Sequence, residues 1–117
     1  MNKIINIEEF KKLTGWDVEL CLSILGTFIV DIEQGWDIVL DALEECDYIK
    51  LRGQLHALGG SCASVFATEL SESFFVAEKA VKDDNYNNEA FVLLLDKIDN
   101  IVTQQLPNEI EEYLSKK

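Results

Sequence analysis

The chemistry open to this chain centres on its only histidine. His56 lies in Leu51-Arg52-Gly53-Gln54-Leu55-His56-Ala57-Leu58-Gly59-Gly60-Ser61-Cys62, where Leu51, Leu55, Leu58 and Cys62 recur at helical spacing. At about 100° per residue the imidazole points roughly 130° from the centre of that apolar face, so the spacing predicts a solvent-facing ring. Positions three and four away share its side of the helix, and these are Arg52, Gly53, Gly59 and Gly60. Glycine inside a helix costs about 0.8–1 kcal/mol relative to alanine, so three of them together require an offsetting purpose. Bare backbone around an exposed ring lets another protein approach it closely. Arg52 can supply positive charge for an anion held there. With a reference pKa of about 6.5, an imidazole is largely neutral and nucleophilic at pH 7. A phosphoryl group on it stays activated enough to pass on, provided a partner brings metal and in-line geometry. The competing reading ends the helix at Gly59-Gly60 and caps a new one with Ser61. The unbroken apolar period from Leu51 to Val65 speaks against it.

No other constellation is as coherent. Cys21, Cys46 and Cys62 are odd in number and form no C-x-x-C pair, so we expect neither a disulfide framework nor a zinc site. Cys62 and His56 fall on different helix faces and make a poor nucleophilic pair, and Ser61 reads as a helix residue. Asp83-Asp84-Asn85-Tyr86-Asn87-Asn88 resembles a calcium loop only faintly, because Asn88 and Leu94 stand where glycine and glutamate are needed. No glycine-rich phosphate loop of the P-loop type is present. We therefore expect no metal or cofactor bound by this chain.

The elements that must position His56 are helical nearly throughout. Asn6-Ile7-Glu8-Glu9 reads as a capping box opening a short helix that Gly15 stops. From the candidate N-cap Asp17, Val18, Leu22, Leu25, Ile29, Ile32, Trp36, Val39 and Leu43 trace a heptad seam along a helix over roughly 17–45. Gly26 and Gly35 read as tolerated costs within it, and Trp36 as core. A turn at Cys46-Asp47 leads to the His56 helix. A fourth helix starts near Thr68 with Leu70, Phe74, Ala77 and Val81 inward, and a fifth carries Phe91, Leu94, Leu95, Ile98, Ile101 and Val102. Pro107 kinks or restarts the chain before a final turn with Ile110 and Leu114. No segment alternates like a strand. The expected fold is all-α: one domain over 1–117, an antiparallel four-helix up-down bundle with short additional N- and C-terminal helices.

Composition narrows the partners. Ten Lys and Arg against 22 Asp and Glu give a net charge of -12, a surface that repels nucleic acid and anionic membranes. No apolar run approaches the roughly 20 residues of a spanning helix. The start, Met1 to Glu9, turns acidic too early for a signal peptide, so a cytoplasmic location is expected. Met1 and the complete helical patterns lead us to expect a free-standing protein, and a buried seam a monomer.

On these residues the chain resembles the histidine phosphotransfer (HPt) domains of bacterial multistep phosphorelays. The family pattern, roughly H-x-L-K-G-S-[SA] followed by a small residue, reads here His56-Ala57-Leu58-Gly59-Gly60-Ser61-Cys62-Ala63, with Ala67 and Leu70 at matching later positions. The resemblance spans about 18–80 and includes Phe28 to Ile32 and Leu40 to Leu43. It departs at Gly59, where the family has a phosphoryl-holding lysine, and at Phe66, where it has glycine. The first departure suggests that Arg52 compensates; the second is expected to alter only the junction of the third and fourth helices. The resemblance implies that His56 accepts a phosphoryl group through Nε2 from a receiver-domain aspartate and delivers it to another. It also implies that Gly60 gives clearance, that the Mg²⁺ belongs to the receiver, and that the chain has no kinase or hydrolase activity of its own. Expected partners are a response-regulator receiver domain, a hybrid sensor histidine kinase, or both. Docking is expected across the third helix and the long helix before it, with Leu20, Ile24, Val30 and Ile38 as candidates. The alternative is an HPt-like interaction module that binds a receiver or kinase without carrying phosphate.

Overall fold

A computed structural model describes residues 3–115, so the expectations resting on Met1 lie outside the described residues. The elements are α1 (Ile7–Leu13), α2 (Val18–Glu44), α3 (Tyr48–Ser64), α4 (Thr68–Lys82), α5 (Glu89–Asn100), a π-helical turn over Ile101–Gln105, and α6 (Leu106–Ser115). No strand occurs among the described residues, and no single helix there is long and apolar enough to cross a membrane. Helix α3 packs against both α2 and α4; α5 lies on α4, and α6 on α2, in a body of 43 × 25 × 20 Å.

Local chemistry sets the ends. The Asn6, Asp17, Asp47 and Asn88 side chains each accept the backbone N–H three residues on, opening α1, α2, α3 and α5. The capping box at Asn6 is only half formed. The Asn6 N–H donates to the Phe66 carbonyl at 2.9 Å, while Glu9 pairs with Lys12 at 3.3 Å. After α2, α3 and α4 the chain passes through a left-handed residue: Cys46, Phe66 and Asp84, with φ of 57°, 61° and 55°. The next residue's N–H then donates back five positions, Asp47 to Ala42, Ala67 to Cys62 and Asn85 to Ala80. Phe66 thus takes, at the expected junction, a conformation that glycine enters freely and that costs a side-chain-bearing residue roughly 1–2 kcal/mol. The helix does not end at Gly59-Gly60; α3 runs through both.

The buried face of α2 is rotated from the expected seam. Cys21, Leu25, Phe28, Ile32, Gly35, Trp36, Val39 and Ala42 are buried, whereas Val18 is exposed and Leu22, Ile29 and Leu43 are half-buried. The cause is close approach by α3. A Cβ at Gly35 would stand 2.8 Å from Gln54 Nε2 and would meet the Leu58 side chain. Gly35 is therefore a packing residue, not a tolerated cost. Trp36 is core as expected, with its indole N–H donated to Asp99 at 2.7 Å and its ring edge-on to Phe74.

At the far end Pro107 has no N–H to continue α-helical bonding, and the Leu106 N–H reaches back five residues to Ile101. The turn re-aims α6 so that Glu109 is buried against the N-terminal segment. Its carboxylate accepts the N–H groups of Ile4 and Ile5 at 2.7 and 2.9 Å and the Tyr113 hydroxyl at 3.1 Å.

Candidate functional site

His56 stands in the middle of α3 with its apolar neighbours turned inward. Leu51, Leu55, Leu58 and Cys62 are buried, and the His56 side chain is 68% exposed, as the spacing predicts. Helix α4 runs beside it. Glu78 Oε1 lies 3.0 Å from His56 Nδ1, and the Phe75 ring centroid lies 5.5 Å from that of the imidazole at 61° between planes. The Glu78 side chain is only 22% exposed, which holds its carboxylate against α3. Acceptance by a carboxylate favours the tautomer with its proton on Nδ1, so the lone pair of the neutral ring sits on Nε2. Nε2 makes no hydrogen bond among the described residues.

The four neighbours expected around the ring do not act alike. Gly53 and Gly60 are exposed, and a Cβ on either would meet nothing within 4 Å. Gly59 is buried instead, and a Cβ there would lie 2.7 Å from the nearest atom of the Phe75 ring. Its bare backbone admits α4, which corrects the expectation that Gly59 clears the way for a partner. The Gly59 carbonyl is also taken, accepting the buried Ser71 hydroxyl at 2.7 Å. Arg52 is exposed and forms no hydrogen bond or ion pair among the described residues, so its guanidinium is available one turn before His56. Lys79, beyond Glu78, is already paired with Asp83 at 2.8 Å. That bond raises the ammonium pKa and lowers the carboxyl pKa.

The apolar period of α3 alone does not point to Phe75 or Glu78. A signal for them exists: His56 lies ten residues before Phe66 at the α3–α4 turn, and the opposing stretch of α4 lies about as far after it. Short connections make antiparallel neighbours, so that stretch had to face the histidine.

On the other flank, α2 and α3 leave a shallow groove of about 280 Å³ whose lining includes Ile24, Thr27, Asp31, Ser61 and Ser64. Of the docking candidates on α2, Ile24 lines this groove, while Leu20, Val30 and Ile38 are exposed. Helical spacing puts Leu20 and Ile38 on the groove side with Asp31, and puts Val30 at its edge, one heptad after Ser23. Among the described residues no group of three or more His, Cys, Asp or Glu is placed to hold a metal ion. No protein-family model, curated protein or solved structure matches the chain.

Proposed function

We propose that this chain is a phosphoryl-carrying HPt domain, with α2 to α5 as an antiparallel up-down bundle and His56 as the phosphoryl acceptor in a relay between receiver aspartates. One observation carries the reading: the sole imidazole is exposed, its Nδ1 is held by Glu78, and its Nε2 is free of partners among the described residues. That is the arrangement a nucleophilic histidine needs. Nε2 attacks the phosphorus of an aspartyl phosphate. The N–P bond forms as the P–O bond to the carboxylate breaks, and the bonding pair leaves with the carboxylate. Positive charge develops on the ring, and the Glu78 carboxylate, accepting the Nδ1 proton's hydrogen bond, stabilises it. The reverse step onto a second receiver returns the ring to neutral. Mg²⁺ for in-line transfer belongs to the receiver. Gly53 and Gly60 keep the approach low, Arg52, exposed one turn before His56, provides a cation for the transferred group, and the α2–α3 groove offers the partner an apolar and hydroxyl-lined footing.

The burial of Gly59 keeps the binding-only alternative specific, because the chain has no lysine three residues after the histidine and position 59 has no room for one while Phe75 holds its place. The test is incubation with a phosphorylated receiver domain, read by intact mass, for wild type and His56→Gln. Gain of one acid-labile phosphoryl group by wild type alone supports the carrier. Measurable binding with no gain selects the interaction module.

A further inference from the structure

We propose that Phe75 is a positioning residue for His56, and that position 59 is glycine in order to seat its ring. Three contacts run along one stripe of α4. Ser71 donates to the Gly59 carbonyl at 2.7 Å, Phe75 covers the Gly59 backbone and stands edge-on to the imidazole, and Glu78 meets Nδ1 at 3.0 Å. A Cβ at position 59 would approach three atoms of the Phe75 ring to 2.7–3.0 Å, within ordinary contact distance, so no side chain fits at 59 while the ring holds its place. The ring itself is 36% exposed and reaches the surface beside His56.

The reason such a device is needed lies in the exposure of the histidine. The His56–Glu78 contact is weak on the histidine's side, because the imidazole is 68% exposed, keeps its rotamer freedom and is open to competing water. The imidazole alone can turn about its two side-chain torsions and present either nitrogen to Glu78. An aromatic wall at 5.5 Å removes part of that freedom, and the wall is itself fixed because Gly59 and the Ser71 hydrogen bond lock α4 against α3. Phe75 thereby makes the Nδ1–Glu78 contact durable and keeps Nε2 outward. The positioning stands on this geometry; its consequence for transfer rests on the carrier reading.

The sole histidine makes the test direct, since every imidazole signal belongs to His56. The ring nitrogens of ¹⁵N-labelled wild type, Phe75→Tyr, Phe75→Ala and the pair Gly59→Ala with Phe75→Ala are followed by two-bond ¹H–¹⁵N correlation across pH. The same proteins are phosphorylated with potassium phosphoramidate, a small-molecule donor that needs no docking surface. Wild type and Phe75→Tyr are expected to show the Nδ1-protonated tautomer in excess and equal phosphorylation rates. Phe75→Ala is expected to move toward a mixture of tautomers and to lose about tenfold in rate at unchanged helix content. Gly59→Ala with Phe75→Ala is expected to fold, because the ring that an alanine would strike is gone, and to share the mixed tautomer. Phe75→Ala with the wild-type tautomer balance overturns the proposal. A shifted balance in Phe75→Ala, with His56 unphosphorylated in every protein including wild type by both phosphoramidate and receiver, upholds the positioning and removes the carrier reading.

Discussion

His56 and Glu78 face one another across two helices, with Nδ1 and Oε1 3.0 Å apart and 22 residues between them in the chain. The carboxylate favours the tautomer with its proton on Nδ1, and on the proposed carrier reading it would meet the charge that forms when Nε2 is substituted. Glu78→Ala is expected to slow phosphoryl transfer about tenfold, the effect of losing one favourable contact to a developing charge. Glu78→Gln keeps an oxygen acceptor and is expected to fall between. Both variants should melt within a few degrees of wild type, since an exposed pair contributes only about 0–1 kcal/mol to folding. Rapid-quench transfer from a phosphorylated receiver, beside thermal melts, separates the two effects. Equal rates for all three proteins would remove Glu78 from the chemistry.

Arg52 is the nearest unpaired cation in sequence to the ring, one turn before it and exposed. With Phe75 seated over position 59, the proposed carrier reading assigns the phosphoryl anion to Arg52. Arg52→Ala is expected to lower the transfer rate or the lifetime of the phosphohistidine about tenfold, and Arg52→Lys to recover part of it. The difference between wild type and Arg52→Ala should shrink as salt rises, because exposed charges are screened over about 8 Å at physiological ionic strength. A phosphohistidine that decays at the same rate in both proteins, with unchanged transfer, excludes this role.

Gly35 carries a stability prediction. A methyl group there would meet the Leu58 side chain and stand 2.8 Å from Gln54 Nε2, in the contact that brings α2 onto α3. Alanine ordinarily stabilises a helix interior by about 0.8–1 kcal/mol over glycine. Overpacking of this contact is expected to outweigh that gain, leaving Gly35→Ala about 1–2 kcal/mol less stable in urea unfolding. Gly26→Ala in the same helix, where a Cβ meets nothing within 4 Å, serves as the control and is expected to be neutral or stabilising.

These contacts explain which parts of the structure could be read from sequence. Leu51, Leu55, Leu58 and Cys62 announce the inward face of α3 because large apolar side chains at helical spacing have one economical arrangement. The cap at Asp17, the turn at Cys46-Asp47 and the polar stop after Val81 were legible for a similarly local reason. Gly35 and Gly59 were not, because a glycine is buried by what its neighbour needs and carries no apolar signal of its own. The seam of α2 turned for that reason: Gly35 and Ala42 contribute little to a pattern weighted by size, yet both are buried, and Gly35 lies against Gln54 and Leu58 of α3. Exposure of His56 was legible from its own helix. Glu78 and Phe75 required the register between two helices, which no single-helix period contains.

Glu109 is the one buried charged side chain among the described residues, and it binds the N-terminal segment to α6. Glu109→Ala would leave the Ile4 and Ile5 N–H groups without their acceptor. An unsatisfied buried donor costs about 1–3 kcal/mol, so the variant is expected to lose roughly 2–4 kcal/mol in urea unfolding. Amide exchange at Ile5, which is buried, should accelerate before exchange in the middle of α3. Uniform acceleration throughout would mean that the segment unfolds only with the whole domain.

The three cysteines differ enough in surroundings to report on the core. Cys46 is exposed, while Cys21 and Cys62 are buried. Burial pushes the Cys62 thiol up to about 12 from an ordinary 9.0. Iodoacetamide at pH 8 is therefore expected to add once, at Cys46, in the folded protein and three times in urea, read by intact mass. The same shift ties stability to pH. Below pH 9 the Cys62 thiol is protonated in both states and its contribution is fully present. Between 9 and 12 the unfolded chain releases the proton and the folded chain retains it, so stability falls as pH rises, by up to about 1.4 kcal/mol per unit. Cys62→Ala removes this term, and its unfolding free energy should decline less steeply than that of wild type across the same interval. Parallel slopes for the two proteins would show that the Cys62 thiol ionises as readily in the folded state as in the unfolded one.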